Sequence, residues 1–398
     1  MANNNKHAGP NVPALRFPEF SGEWIESKLG DIADFSKGAG ISKDQRSEKG
    51  NPCILYGELY TRYKSEVITN VFSKTALPDS NLVKSKANDI IIPASGETAE
   101  DIATARCVPF DNILLGGDLN IIRLHEQDGK FFSYQLNGVR KYDIATVAQG
   151  VSVVHLHAGD LKGITVKYPS HIAEQEKISQ ILGLIDDRIA TQSKIIEELT
   201  TLRSALIEKC AKQTGNYFSL SDILEEVEER STTANQYQVL SSTVKGIFSQ
   251  KEYFNKDIAS EDNKGYKVVR KGHIVLSPQN LWMGNINYND RFDIGIVSPS
   301  YKVFSIKEGF NPTFIAALLQ TKKALNEYML ASEQGASIVR RNLNIEAFMA
   351  IKFRIPDARQ QDSLSLAITA INAKLNNERC YLEQLTMQKS CLLENMFI

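Results

Sequence analysis

The sequence predicts an α+β protein with two similar globular domains, each followed by a long helix. Two stretches carry the first observation: "EQEKISQILGLIDDRIATQSKIIEELTTLRSALIEKC" starts at Glu174, and "QQDSLSLAITAINAKLNNERCYLEQLTMQKSCLLENM" starts at Gln360, 186 residues later. Both stretches have a helical period. The second observation is that short runs rich in Val, Ile and Tyr alternate with turn residues, without a regular βαβ rhythm, which is typical of α+β domains.

The two helical stretches also share a coiled-coil seam. Apolar residues recur at alternating steps of four and three, and polar residues interrupt both seams at matching places, Gln192 with Glu378 and Arg203 with Lys389. A seam sustained over about four heptads needs a partner helix. We therefore expect an antiparallel coiled coil with pseudo-two-fold symmetry and an axis near Gln192 and Glu378. The alternative is two separate helices, each capping its own domain.

The repeat extends through the globular parts. The matched segments, given as first-copy and second-copy pairs, are "LGDIADF" and "LSDILEE", "CILYGELY" and "YQVLSSTV", "NDIIIPAS" and "GHIVLSPQ", "AQGVSVVHL" and "EQGASIVRR", and "GITVKYP" and "AIKFRIP". The chain is therefore interpreted as a tandem duplication of one unit.

This duplication sets the expected domain boundaries. The first globular domain spans residues 1–168, and the prolines within its first twenty residues indicate a loose arm at 1–20. A first helix spans 169–212, the second globular domain 213–355, and a second helix 356–398.

Composition argues against several classes of protein. Lys plus Arg number 46 and Asp plus Glu number 47, so there is no global basic field and any DNA-binding face must be local. The 5 cysteines have no CxxC spacing, which argues against a disulfide framework or a zinc site and fits a cytoplasmic location. The N-terminus has no apolar segment typical of a signal peptide, and no apolar run is long enough to predict a membrane span.

The sequence also lacks the motifs of several enzyme classes. There is no GxxxxGK[ST] loop for nucleotide phosphates and no Asn- or Asp-Pro-Pro-aromatic motif of base-flipping adenine methyltransferases. "GAG" at 38–40 is interpreted as a turn, and Pro78-Asp79 as a loop because no acidic and lysine pair follows it. His155 and His157 alternate as on a strand, but without a further Cys or His nearby a metal pair is not favoured. We therefore predict no catalytic, cofactor-binding or metal-binding residue.

The whole chain resembles the specificity subunit of type I restriction–modification systems. The resemblance rests on "PALRFPEFSGEWIESKLGDIADFSKG" near the start and on "YPSHIAEQEKISQILGLIDDRI". It also rests on a QGxS turn in each half, at Gln149 and Gln334. The second copy departs from the pattern because "PDARQQD" replaces the EQ at the start of the first helix.

The resemblance implies a non-catalytic DNA-binding subunit. Each globular domain would be a target-recognition domain that reads one half of a bipartite, asymmetric sequence in double-stranded DNA. The helices would set the spacing and dock two modification (methyltransferase) subunits, joined by restriction (motor and endonuclease) subunits. S-adenosylmethionine, ATP and Mg would be bound by those partners, with no cofactor in this chain.

DNA-contacting residues are expected on loops. Candidates in the first domain are Arg62, Tyr63, Lys64, Ser95, Glu97, Thr98, Ser152 and His155. Candidates in the second domain are Lys245, Gln279, Asn280, Trp282, Ser337, Arg340 and Arg341. Amide side chains can pair with adenine, Glu can accept from cytosine, and cations contact phosphates. Any one of these residues could instead belong to an ordinary surface turn.

Charge patterning separates two regions of the second domain. Arg340 and Arg341 lie near a strand with Lys352 and Arg354, so this region is the main phosphate-contact candidate. "EEVEER", residues 225–230, would repel DNA and is predicted to be a solvated helix face directed away from it.

Two other functions are open on sequence grounds. A methyltransferase or nuclease is opposed by the missing motifs, and S-adenosylmethionine binding by the purified chain would support it. A coiled-coil scaffold that binds proteins rather than DNA is compatible with the balanced charge. A DNA-binding assay on the complex with its partners separates that scaffold from a specificity subunit.

Overall fold

The computed structural model describes residues 11–150, 153–254, 263–334 and 341–398. The chain divides into two compact units. The first unit contains the chain up to Ser193 together with Tyr381–Ile398, and the second contains Lys194–Cys380. The first unit is therefore discontinuous in sequence, because the whole of the second unit lies between its two segments.

The described residues of the first unit form thirteen short strands and the helices that connect them. The strands are β1 Ile25–Lys28, β2 Ala33–Lys37, β3 Arg46–Ser47, β4 Asn51–Ile54, β5 Ser73–Thr75, β6 Val83–Lys84, β7 Asp89–Pro93, β8 Ser95–Gly96, β9 Arg106–Val108, β10 Leu114–Leu115, β11 Leu119–Leu124, β12 Val154–His155 and β13 Thr165–Tyr168. The helices are α1 Glu58–Thr61, α2 Ala99–Ile102, α3 Gly129–Asn137, α4 Lys141–Val147, α5 Ala158–Lys162 and the long α6 Ile172–Thr214, which continues into the second unit.

The second unit has a corresponding set of elements. Its described strands are β14 Asn216–Ser219, β15 Leu224–Glu226, β16 Leu240–Thr243, β17 Gly246–Ser249, β18 Lys267–Arg270, β19 Ile274–Leu276, β20 Ile286–Tyr288, β21 Ile294–Val297, β22 Lys302–Ile306, β23 Ser332–Gln334, β24 Arg341–Leu343 and β25 Lys352–Ile355. Its described helices are α7 Leu220–Ile223, α8 Gln250–Phe254, α9 Pro312–Leu318, α10 Lys322–Leu330, α11 Ile345–Ala350 and the long α12 Ala358–Asn395, which ends in the first unit.

A four-stranded antiparallel sheet, in the order β2-β11-β7-β9, is central to the first unit. Its residues alternate between two cores, so that Ile90 and Ile122 belong to one and Ile91 and Ile121 to the other. Because both faces are buried, β7 has an unbroken apolar run instead of apolar–polar alternation. Strands β1 and β13 pair separately, and a second sheet has the order β3-β5-β4-β10-β6.

The same framework occurs in the second unit. Its four-stranded sheet has the order β15-β22-β19-β20, and β14 pairs with β25 as β1 pairs with β13. Ile274 and Phe304 belong to one core, and Val275 and Val303 belong to another. The expected mixed α+β class with two domains is confirmed, and the sheets follow the repeat seen in the sequence.

Each globular part contains a pair of consecutive helices, α3 and α4 in the first unit and α9 and α10 in the second. Gly138 ends α3 before α4 begins, and Thr321 caps α10 just after α9 ends. Pro312 lies in the first turn of α9 with Asn311 as its cap, a position that suits the fixed backbone angle of proline.

In the first turn of each long helix, a glutamine ties the helix to a globular domain. The Gln175 side chain accepts a hydrogen bond from the Asp128 N–H at 3.0 Å and donates to the carbonyl of a preceding proline at 3.0 Å. Gln361 accepts from the Asn311 N–H at 2.8 Å and donates to a preceding proline at 2.9 Å. The departure "PDARQQD" therefore retains the amide that fixes the helix start.

Residues 11–20 differ from the loose arm expected there. Arg16 forms a bidentate ion pair with the fully buried Glu174, at 2.7 and 2.8 Å, and the Trp24 indole N–H donates to the same carboxylate at 3.4 Å. The Leu15 N–H also donates to the Asn395 carbonyl at 2.8 Å. These contacts anchor the segment to both long helices within the first unit, which proline content alone does not indicate.

Polar interruptions of the helical seams are paired within each unit. In the first unit, Lys389 Nζ lies 2.6 Å from Asp186 Oδ1. In the second, Arg203 donates to Asn372 Oδ1 at 2.8 Å. Asn372 follows Asp186 by 186 residues, as Lys389 follows Arg203, so the two contacts occupy equivalent places in the repeat. The other matched interruption has one residue in each unit, and its pairing stays a prediction.

The acidic run 225–230 is not the helix face that charge patterning predicted. Its start belongs to β15, which pairs with β22. Glu226 lies 2.6 Å from Lys302, and Glu229 lies 2.7 Å from Arg270. The prediction was wrong because the buried Leu224 and the pairing with β22 determine the local structure, while cations on neighbouring strands offset the acidic charge.

Candidate nucleic-acid interface

In the first unit, the ladder between β8 and β12 brings two predicted site residues together. Ser95 pairs with His155, and the Ser95 hydroxyl lies 3.3 Å from His155 Nδ1. A bridge between Gln149 and His155 closes the hairpin that holds β12. The rings of His155 and His157 stack with centroids 6.5 Å apart. The sheet edge therefore presents an exposed imidazole beside a hydroxyl, which suits hydrogen bonding to a base or a phosphate.

Glu97 and Thr98 follow β8, and their side chains differ in availability for DNA contact. The Thr98 hydroxyl caps α2, accepting from the Asp101 N–H at 3.1 Å and donating to the Asp101 carboxylate at 2.7 Å. This cap fixes the loop and occupies the hydroxyl. Glu97 is exposed. Burial raises the pKa of Tyr60 on α1, and nearby charges, including Glu97, raise it further.

Residues 62–64 have three different environments. Arg62 donates to the buried Glu58 at 3.1 Å and stacks over the Phe72 ring, 5.0 Å from its centroid. Tyr63 is buried in a core, which raises its pKa to about 12, so its ring is not presented for DNA contact in this conformation. Lys64 is exposed. Sequence reasoning missed Glu58 and Phe72, which orient the arginine.

These three residues also border a groove on the first unit. The groove has a volume of about 290 Å³, and its opposite wall is formed by residues 186–193 of α6. It is separate from the β8–β12 ladder, since none of the ladder residues lines it.

In the second unit, the loop between β19 and β20 carries three candidates. Gln279 is exposed, whereas Asn280 and Trp282 are half-buried. The Arg341 N–H donates to the Gln279 carbonyl at 3.3 Å, so β24 adjoins this loop. Gln334 pairs with Arg341 in the β23–β24 hairpin. The arrangement corresponds to the first unit, where β12 adjoins β8 and Gln149 closes the hairpin.

Arg341 itself is engaged within the fold. Its guanidinium donates to the Ser332 hydroxyl at 3.2 Å, the Ser332 carbonyl at 2.6 Å and the Met329 carbonyl at 3.3 Å. These groups lie at the end of α10, where a cation is favourable. On β25, Lys352 is exposed and Arg354 lies over the Tyr217 ring at 5.1 Å. Three further predicted site residues lie outside the described residues: Ser152, Ser337 and Arg340.

Lys245 occupies the turn between β16 and β17, where its side chain is exposed. Below this turn lies a buried polar cluster of Ser242, Asn285 and Asn287, which sequence reasoning missed. The signal was present in "GNINYN", because asparagines at alternate positions of a strand point to one face. Alternating amides on a buried strand indicate a hydrogen-bonded network rather than a solvated surface.

Among the described residues, no group of three His, Cys, Asp or Glu side chains is arranged to hold a metal ion. Within the same residues, no helix is long and apolar enough to cross a membrane.

Comparison with known proteins agrees with this geometry. Residues 21–201 match the family model described as the type I restriction modification DNA specificity domain. The fold is similar to the crystal structure of the type I restriction–modification S subunit from M. genitalium, with 18% identity and a TM-score of 0.59, covering 97% of this chain and 99% of that chain. The resemblance drawn from the sequence is confirmed.

Two further structures are more distant. One, described as showing complex assembly and conformational transition of the type I R-M system, is 10% identical with a TM-score of 0.49, covering 94% of this chain and 97% of that chain. The HsdS subunit from Thermoanaerobacter tengcongensis is 12% identical with a TM-score of 0.37, covering 94% and 96%. No curated protein sequence is significantly similar to the chain.

Proposed function

We propose that this protein is the non-catalytic specificity subunit of a type I restriction–modification complex, because residues 21–201 match the type I restriction modification DNA specificity domain. It binds double-stranded DNA at a bipartite, asymmetric target. Each globular unit reads one half of that target.

One observation carries the proposal: a strand hairpin adjoins a loop at corresponding places in both units. In the first unit the junction presents Ser95 and His155, and in the second it presents Gln279 beside Arg341. The two units therefore place different side chains on the same backbone arrangement. Base edges are distinguished by their pattern of hydrogen-bond donors and acceptors, so this arrangement suits two half-sites of different sequence. Lys64, Lys245 and other exposed cations would contact phosphates, which position the protein without reading sequence.

The long helices serve as the spacer in this proposal. An antiparallel coiled coil with pseudo-two-fold symmetry is supported by the repeat-related contacts Asp186–Lys389 and Asn372–Arg203, each measured within its own unit. A helix has a fixed rise of about 1.5 Å per residue. Its length would therefore set the separation of the two half-sites.

The catalytic work belongs to partner subunits in this proposal. The helices dock two modification subunits, and restriction subunits join that assembly. S-adenosylmethionine, ATP and Mg are bound by the partners and not by this chain. The complex acts on cytoplasmic DNA.

Genomic methylation mapping tests the proposal most directly. Strains with and without the gene for this chain should differ by one bipartite methylated motif. Exchanging residues 237–285 for the same region of a related subunit should change one half of that motif and preserve the other half and the spacing. A swap that altered both halves would contradict independent reading, and S-adenosylmethionine binding by the isolated chain would favour an enzyme instead.

A further inference from the structure

A buried polar network in the second unit joins the β16–β17 hairpin to the loop between β19 and β20. The Ser242 hydroxyl donates to Asn285 Oδ1 at 2.8 Å, and Asn285 Nδ2 donates to the Ser242 carbonyl at 2.9 Å. Asn287 Nδ2 donates to the Ser242 hydroxyl and to the Thr243 carbonyl, both at 2.8 Å. The exposed fractions are 2% for Ser242, 5% for Asn285 and 6% for Asn287, so these bonds form away from solvent.

The network reaches both candidate DNA-contacting segments through the backbone. On one side, the Thr243 hydroxyl accepts from the Lys245 N–H at 3.0 Å and shapes the turn. On the other, the Asn285 carbonyl accepts from the Ser277 N–H at 3.0 Å and closes the loop that carries Gln279. A continuous series of hydrogen bonds therefore links the turn to the loop.

Amides are costly to bury unless their hydrogen bonds are satisfied, whereas apolar side chains would fill the same space without that requirement. A satisfied buried network fixes one geometry, because any shift leaves a donor or acceptor without its partner. Asn285 and Asn287 therefore contribute directional restraint between two surface segments, which apolar packing would not supply.

We infer that Asn285 and Asn287 are positioning residues for DNA reading by the second unit. They hold the Lys245 turn and the Gln279 loop at a fixed separation, so that a phosphate contact and a base-edge contact fall on the same half-site. This inference rests on the proposed function and deepens it. It assigns specificity to residues that do not touch the DNA.

The test compares Asn287→Asp with Asn289→Asp in the complex with the modification subunits. Aspartate is nearly isosteric but cannot donate the two hydrogen bonds of Asn287. Asn289 is a matched control, because it is 1% exposed and its side-chain bonds, at 2.7 and 3.0 Å, join it to Phe292 in a local turn and not to the network. Affinity is measured for the mapped target duplex, for duplexes with either half-site altered, and for unrelated DNA.

For Asn287→Asp, discrimination at the second half-site should fall about tenfold, as expected when a buried donor pair is lost. Discrimination at the first half-site and affinity for unrelated DNA should not change. Asn289→Asp should preserve both discriminations. Tyr301→Phe provides a milder variant, because it removes only the hydroxyl that donates to the Ser242 carbonyl at 3.1 Å, and it should lower the same discrimination severalfold.

Three results would overturn the inference. Full second-half discrimination in both Asn287→Asp and Tyr301→Phe would show that the network does not position the reading segments. An equal loss at both half-sites, or an equal loss in Asn289→Asp, would show a general effect on stability. If the wild-type complex does not discriminate at the second half-site, the proposed function itself fails, and this outcome is distinct from the other two.

Discussion

Replacing Lys389 with methionine removes a buried cation shared by two carboxylates of the first unit. Lys389 Nζ lies 2.5 Å from Glu66 and 2.6 Å from Asp186. The side chains are 14%, 10% and 10% exposed, respectively. Methionine retains most of the aliphatic volume, so the substitution mainly removes charge.

The expected loss is about 3–5 kcal/mol in the free energy of unfolding of the first unit, because one partner of a buried pair is removed and the other charges remain. The lower end is favoured, since the Tyr134 hydroxyl still donates to Asp186 at 2.7 Å and the nearby Arg106 is retained.

The loss should depend on pH through Glu66. Burial raises the pKa of Glu66, Asp186 raises it further, and Lys389 and Arg106 oppose this shift. A carboxyl with a raised folded-state pKa contributes stability below its unfolded pKa and loses that contribution as pH rises through the folded pKa. Removing Lys389 raises the pKa of Glu66 further, so Glu66 stays protonated in the folded state up to a higher pH. The loss of unfolding free energy in Lys389→Met, relative to the wild type, should therefore be largest at neutral pH and smaller in acid, where Glu66 is protonated.

Urea unfolding monitored by tryptophan fluorescence measures this effect. The chain has 2 tryptophans, so a Trp282→Phe background leaves Trp24, which is 2% exposed in the first unit, as the reporter. The matched control is Lys141→Met, because its pair with Glu100 spans 3.7 Å with side chains 37% and 83% exposed. That control should cost less than about 1 kcal/mol. An equal loss in both variants, or a deficit that does not change between neutral and acidic pH, would refute the electrostatic argument.

Three other outcomes follow from contacts described above. Phe397→Ala removes a ring that packs on two buried aromatic side chains, and the same titration should show a loss of about 3–5 kcal/mol. Arg16→Ala leaves the Glu174 carboxylate buried without its bidentate partner and should cost about 3–5 kcal/mol, part of which Glu174→Gln in the same chain should restore; no restoration would argue against a charge effect. An insertion of four residues after Thr200 adds roughly 6 Å of helix and should lengthen the DNA spacer by one or two base pairs without changing either half-site, as mapped by methylation. Unchanged spacing at full activity would contradict a helical spacer.

Local periodicity explains what the sequence could predict. The two long helices and the start of α9 at Pro312 depend on spacing and caps that are visible over a few residues. The unbroken apolar run of β7 likewise indicates a strand buried on both faces. These features need no knowledge of which distant segments meet.

The environments of the candidate DNA-contacting residues depend on contacts made in the folded chain and were harder to predict. Tyr63 is next to two cations in sequence but belongs to a core, and Thr98 lies on a loop but caps a helix. Arg341 stays a predicted phosphate contact, and in this structure its guanidinium donates to the carbonyls of Met329 and Ser332. These contacts do not follow from residue type alone, so the roles of these side chains in DNA binding stay predictions.

The discontinuity of the first unit has a consequence for synthesis. Tyr381–Ile398 belong to this unit but are translated after all of Lys194–Cys380. At about 5–20 residues per second, the ribosome needs roughly 10–40 s to make the intervening segment. During that time Trp24 and Phe131 still lack the Phe397 ring that covers them, and the residues of the second unit are all made before that ring. The nascent chain therefore completes its domains in the reverse of their order in sequence, and its exposed apolar surface needs protection from aggregation until the last helix emerges.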